Sequence, residues 1–137
     1  MNPQLILVLC SVVFGLLMVY VIFKSLRLRQ KLPDLKNVQP DFHETAASGY
    51  SCKSLLTKAG GASGVLRITI FENHLWIWTN YFMAIFAQFY DLIHKIPLEQ
   101  IVKVERKKKK LVVTFRDGAK EKQIVLKSRK PDQLMQL

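Results

Sequence analysis

The sequence predicts a single transmembrane α-helix followed by a small, mainly β domain. Three observations carry that prediction: an apolar run without a charge over residues 5–23, segments after residue 65 in which apolar and polar residues alternate, and turn-forming pairs between those segments. The chain has 137 residues and a formal net charge of +11. Once the apolar run and a polar connection are set aside, about 75 residues remain, enough for one small domain. The surplus of clustered cations points to a polyanionic partner, either lipid head groups or nucleic acid.

The run Leu5 to Phe23, LILVLCSVVFGLLMVYVIF, is interrupted only by Ser11 and Gly15. At about 1.5 Å per residue it reaches about 28 Å, the thickness of a bilayer core. No Lys or Arg precedes it and no small-x-small site follows it, so it is expected to stay as an anchor rather than be cleaved as a signal peptide. Residues 1–4 form a short tail without a charged side chain. On the other flank stand Lys24, Arg27, Arg29, Lys31 and Lys36 against Asp34. The positive-inside rule therefore puts the N-terminus outside and the C-terminal domain in the cytosol. Lys24, Arg27 and Arg29 are lipid-contact candidates, and the stretch SLRLRQKL could carry the helix on into the head-group region. Cys10 lies in the apolar run and Cys52 in the polar region, so the two are expected as free thiols in a reducing compartment.

Residues 24–64 read as a basic juxtamembrane segment and linker, bracketed by Pro33 and Pro40 and closing on Gly60, Gly61, Ser63 and Gly64. The β domain is expected over residues 65–137, with a start as early as residue 51 left open. In VLRITIF, Leu66, Ile68 and Ile70 alternate with Arg67 and Thr69; Glu72 and Asn73 form a turn, and HLWIWTN returns. On the returning arm Leu75 and Ile77 share one face while Trp76 and Trp78 share the other. Both faces are apolar, so at least one must be covered by the core, a partner or the membrane.

The segment YFMAIFAQFYDLIH spaces Phe82, Ile85, Phe86 and Phe89 as a helix would, but helix and strand-plus-loop both remain open over residues 81–93. The plainer expectation is that these aromatics fill the small core. The sharper one is an apolar surface that meets lipid or another membrane subunit. After Pro97, IVKVERKKKKLVVTF reads as a hairpin with a cationic tip, and Asp117–Gly118 supplies a second tight turn into KEKQIVLK. At least five strands result, and Pro131 is placed to open a short terminal helix through Asp132, Leu134, Met135 and Leu137.

The pattern HLWIW, an aromatic-rich insert, HKIPLEQIVKVE, a hairpin and the VTFRDG turn resembles the pleckstrin-homology-like superfamily, in particular GRAM-type and bacterial PH-like domains. Ile96 and Pro97, a short polar step and then Ile101 opening the next strand carry the likeness, which covers roughly residues 51–137. The resemblance implies a bent antiparallel sheet or split barrel with a C-terminal helix, lipid or protein recognition, no enzyme activity and, through its bacterial members, the bacterial inner membrane. No lipid-binding residue is carried over by position.

No catalytic, metal or cofactor site can be built from the residues. His43, His74 and His94 are scattered, neither cysteine has a neighbour at ligand spacing, and GGASG lacks the Lys-Ser/Thr of a phosphate loop. The distinctive feature is Arg106, Lys107, Lys108, Lys109 and Lys110, reinforced by Lys103, Lys120, Lys122, Lys127, Arg129 and Lys130. These five are lipid-contact candidates for anionic head groups, weighed against a simply solvated turn. The same lysines with Trp76 or Trp78 as stacking platforms would suit nucleic acid, a reading set aside for a chain tied to a bilayer and without a nucleic-acid motif. Trp76, Trp78, Phe82, Phe86 and Phe89 are partner-contact candidates. The expected function is a non-enzymatic, membrane-anchored interaction module, an accessory or scaffold subunit of a membrane protein assembly with anionic-lipid contact. The alternative is a lipid-recognition module acting alone. Ser11 and Gly15 form a small-xxx-small pair, which leaves a homo-oligomer open.

Overall fold

The computed structural model describes residues 2–30 and 32–136, so Lys31 of the basic flank and Leu137 of the expected terminal helix lie outside the described residues. Two compact units separate at residues 32 and 33. The first is helix α1 (Pro3–Arg29), whose Asn2 side chain caps the amide of Gln4 and whose Pro3 takes the first turn, where its missing N–H costs nothing. It is long and apolar enough to cross a membrane, with a mean hydropathy of 3.0 over its most apolar stretch. The one hydroxyl in its apolar centre, Ser11, donates to the Val8 carbonyl at 2.8 Å, so it is satisfied inside the helix. The helix runs six residues beyond the expected end at Phe23. Nothing in KSLRLR breaks a helix, and cations in a last turn suit the negative end of its dipole. Lys24 lies 5.6 Å from the Tyr20 ring.

The second unit contains strands β1 (Phe42–Ser51), β2 (Ala62–Phe71), β3 (His74–Thr79), β4 (His94–Pro97), β5 (Ile101–Lys107), β6 (Lys110–Asp117) and β7 (Lys120–Lys127). Between them stand helices α2 (Leu55–Ala59) and α3 (Tyr81–Phe89), and α4 (Pro131–Leu134) ends the order. The strands form one antiparallel sheet in the order β4-β3-β2-β1-β7-β6-β5. Two meanders are thus joined by pairing of the first strand with the last. The turn at Glu72 and Asn73 has positive φ at both residues, which matches the twist of a two-residue hairpin. Gly118 holds φ +64° in the Asp-Gly turn.

One core cluster takes inward residues from six strands, among them Leu66, Ile68, Leu75, Ile77, Ile96, Leu111, Val113, Phe115, Ile124 and Leu126. A single cluster requires the sheet to curl around it. Ala87 and Leu92 on and after α3, and Leu134 on α4, complete it. The terminal helix is one turn, shorter than the two expected, and it persists because Leu134 docks.

The expected linker over 24–64 is corrected: residues 42–51 are a strand of the sheet and 55–59 a helix, so the β unit begins well before residue 65. In β1 an extra residue at Ala46, φ +61°, shifts the register between Glu44 and Ala47. The shift changes which residue parity faces inward, from Phe42 and Glu44 to Ala47, Gly49 and Ser51. Glu44 is buried by this geometry, and its carboxylate accepts the Arg129 amide at 2.6 Å and the Ser128 hydroxyl. The first strand is thereby fastened to the segment after the last.

Candidate membrane-contact surface

Over the segment 81–93, left open between helix and strand-plus-loop, residues Tyr81–Phe89 form helix α3, with Asn80 capping the amide of Met83 at 2.9 Å, and residues 90–93 are the turn that follows it. Its inward residues are Ala84 and Ala87, while Phe82, Phe86 and Phe89 are 77%, 58% and 70% exposed. The plainer expectation that these aromatics fill the core is overturned. A short helix can lie close against a sheet only on a face of small side chains, so the alanines take the inside and the aromatics, at i, i+4 and i+7, share the outside.

Helix α2 stands beside the end of α3. The Ser54 hydroxyl accepts the Thr57 amide, the Thr57 hydroxyl accepts the Ser54 amide, and that same hydroxyl donates to the Ser51 carbonyl at 3.0 Å. This pins a five-residue helix that leaves Leu55 and Leu56 exposed. At its end, Gly60 lies against the ring of Tyr90, which ends α3. The Ser51 hydroxyl donates to Asp91 at 3.0 Å, and His94 Nε2 donates to the Asp91 carbonyl at 2.6 Å, so the turn after α3 is held from two sides. Burial holds the His94 imidazole below its usual pKa, against the raising effect of Asp91.

On the other side of α2 the surface becomes basic. Lys58, Lys110 and Lys127, with Ser48 and Ser63, line a depression of about 310 Å³. Lys107, Lys108 and Lys109 adjoin it, sharing a second hollow of about 420 Å³ with Lys110 and Lys127. Apolar helices and lysines thus meet across one five-residue element.

The other candidates are placed differently. Arg106 is tied to Asp132 of α4 at 2.6 Å, so its charge is already answered within the chain. Trp76 and Trp78 lie on the outer face of the sheet, away from the core side of Leu75 and Ile77, and the chain covers them with its own cations. Arg67 stacks 5.0 Å from the Trp78 ring and Lys95 4.8 Å from that of Trp76. Trp78 is 8% exposed and donates to Thr69 Oγ1 at 3.0 Å, which leaves it little surface to offer a partner. Lys24, Arg27 and Arg29 belong to the end of α1. Sequence reasoning missed Leu55, Leu56 and Lys58 as surface, although a Leu pair flanked by Lys53 and Lys58 in a polar segment was the available signal.

Comparison of the chain with protein-family models, curated proteins and solved structures gives no match.

Proposed function

We propose that the chain is a non-enzymatic interaction module, anchored by α1, whose β unit engages the anionic surface of the bilayer through α2, α3 and the adjoining lysines. The observation that carries this reading is the exposure of Phe82, Phe86 and Phe89 on a helix whose neighbour α2 leads directly to Lys58 and its basic depression. An apolar face beside cations is the composition that a membrane interface accepts: rings at the acyl boundary and ammonium groups at the phosphates. Each engaged lysine contributes about 1 kcal/mol at an anionic surface, and fully burying one Phe contributes about 1.5–3 kcal/mol. The anchor keeps lipid at high local concentration. Twelve residues separate Arg29 from Phe42, a reach of at most about 40 Å.

The strand order and the short docked terminal helix support the resemblance to PH-like and GRAM-type domains, and with it recognition rather than catalysis. The basic flank of α1 supports a cytosolic β unit, and the resemblance to bacterial PH-like domains supports the bacterial inner membrane. A second reading, an accessory subunit docked on another membrane protein, is favoured by the linear row of three aromatics on α3, the form in which one helix presents itself to another.

Hydrogen exchange of the full chain in nanodiscs tests the proposal. Amides of α3 should exchange more slowly in discs containing phosphatidylglycerol than in pure phosphatidylcholine, and the difference should shrink with salt. Equal exchange in both discs contradicts it.

A further inference from the structure

We infer that the depression between Lys58, Lys110 and Lys127 is a binding site for a dianionic phosphate group, such as a phosphate monoester. The inference rests on the proposed function only for the lipid as a source of that phosphate. Lys110 stands at the start of β6, paired with Lys107, and its ammonium lies 5.5 Å from the Tyr50 ring, which restricts where the charge can go. Lys127 at the end of β7 pairs with Ser48 of β1. Lys58 comes from the last turn of α2. Three elements distant in sequence therefore deliver one cation each to a single hollow.

No acidic side chain lines the depression, and among the described residues none of the three lysines forms an ion pair. This contrasts with Lys103, Lys122 and Arg106, each of which is matched to a carboxylate. Three uncompensated ammonium groups suit a dianion better than a monoanion, and lysine meets phosphate as a point charge without the planar geometry that arginine demands. The Ser48 hydroxyl accepts the Gly64 amide at 2.8 Å, so its own proton remains available to a phosphate oxygen. Gly49 and Gly61 are among the lining residues, and a methyl group at Gly61 would lie 2.7 Å from the Gly49 carbonyl oxygen, so position 61 is held to glycine beside the three lysines. The volume, about 310 Å³, sits at the small end of ligand sites and accommodates a phosphorylated head group rather than a large cofactor.

The test is lysine reductive methylation, read residue by residue in the mass spectrometer, on the full chain in nanodiscs. Deuterium uptake of α3 is followed in parallel. Discs of phosphatidylcholine alone are compared with discs containing phosphatidic acid, a monoester, and discs containing phosphatidylglycerol, a diester, at matched surface charge. A further arm adds inorganic phosphate to the pure phosphatidylcholine discs. The site predicts that phosphatidic acid or inorganic phosphate slows modification of Lys58, Lys110 and Lys127 at least fivefold relative to phosphatidylglycerol, about the effect of one fully engaged lysine. Lys107 to Lys109, which do not line this depression, should be slowed less. Replacement of Lys58 by Ala should reduce the monoester protection of Lys110 and Lys127, while replacement of Lys107, Lys108 and Lys109 by Ala should preserve it at all three site lysines; protection of Lys110 and Lys127 that ignores Lys58 overturns the site. Protection by phosphatidic acid alone assigns the phosphate to a lipid; protection by inorganic phosphate assigns it to a soluble group. Equal protection by the monoester and the diester overturns the site, and does so without touching the bilayer reading if α3 is protected in both. Protection of the three lysines by inorganic phosphate while α3 ignores every lipid upholds the site and ends the bilayer reading instead.

Discussion

Gly60 lies flush against the ring of Tyr90: a methyl group at position 60 would stand 1.9 Å from Tyr90 Cε1. The contact joins the end of α2 to the end of α3, and so joins the basic depression to the aromatic face. Replacement of Gly60 by Ala must push the ring away. We expect a loss of about 1–3 kcal/mol, the usual consequence of overpacking, measured by denaturation in mild detergent. Exchange protection of α3 in anionic discs should fall with it. Unchanged stability and protection would show that the two helices are not coupled through this contact.

The division of α3 into an alanine face and an aromatic face makes opposite predictions for its two sides. Phe82→Ser and Phe86→Ser should change stability by less than about 0.5 kcal/mol, as replacements at exposed positions usually do, while sharply reducing bilayer engagement. Ala87→Leu should cost about 1–3 kcal/mol because it forces a larger side chain into the packed cluster. Denaturation of the three variants side by side checks both. If the Phe replacements destabilise more than the Leu replacement, the orientation assigned to α3 is wrong.

Glu44 is a buried carboxylate whose partners are the Arg129 amide and the Ser128 hydroxyl. Removing it with Glu44→Ala leaves a backbone donor unanswered, for which about 1–3 kcal/mol is expected. Hydrogen exchange should show the loss concentrated in the chain after β7, including α4. A uniform change across the sheet would mean that Glu44 does not act as a latch between the first strand and the terminal segment.

The imidazole of His94 is 11% exposed, hydrogen-bonded to the Asp91 carbonyl and packed edge-on against Phe115 at 5.4 Å. Burial lowers its pKa below the ordinary 6.5, so the neutral form is favoured in the folded chain. The unfolded chain then binds more protons in the window below 6.5. Its contribution to stability is therefore complete above about pH 6.5 and declines as the pH falls below that value. Denaturation midpoints at pH 5 and pH 7.5 should differ in that sense, and His94→Gln should flatten the difference. A wild-type midpoint that rises on acidification would contradict the assignment.

Local signals were enough for part of this architecture. The hairpin of β2 and β3 was legible because Leu66, Ile68 and Ile70 alternate and Glu72-Asn73 suits a two-residue turn, and the β5 to β7 meander was legible for the same kind of reason. Strand β1 was not. Its Thr45, Ala46, Ala47, Ser48 and Gly49 carry almost no β signal, and they are a strand because β2 and β7 flank them; Gly49 must be small to fit beneath Val125 and Leu126. Helix α3 was visible in its spacing, but its direction was hidden. Hydrophobicity alone sends Phe82, Phe86 and Phe89 inward, whereas the space against the sheet admits only Ala84 and Ala87. Of the basic depression, the run Lys107 to Lys110 was plain, while the convergence of Lys58 and Lys127 on Lys110 depends on pairing between strands that no local pattern reports.

A nitroxide at position 86 tests most directly whether α3 sits in the membrane interface. With Cys10 and Cys52 replaced and Phe86→Cys labelled, power-saturation resonance compares collisions with oxygen, which concentrates in lipid, and with a nickel chelate, which stays in water. In bilayers containing phosphatidylglycerol at low salt, oxygen should dominate, and the chelate should regain access in pure phosphatidylcholine or at high salt. A label that meets the chelate freely in anionic bilayers at low salt would place α3 in water and contradict the claim.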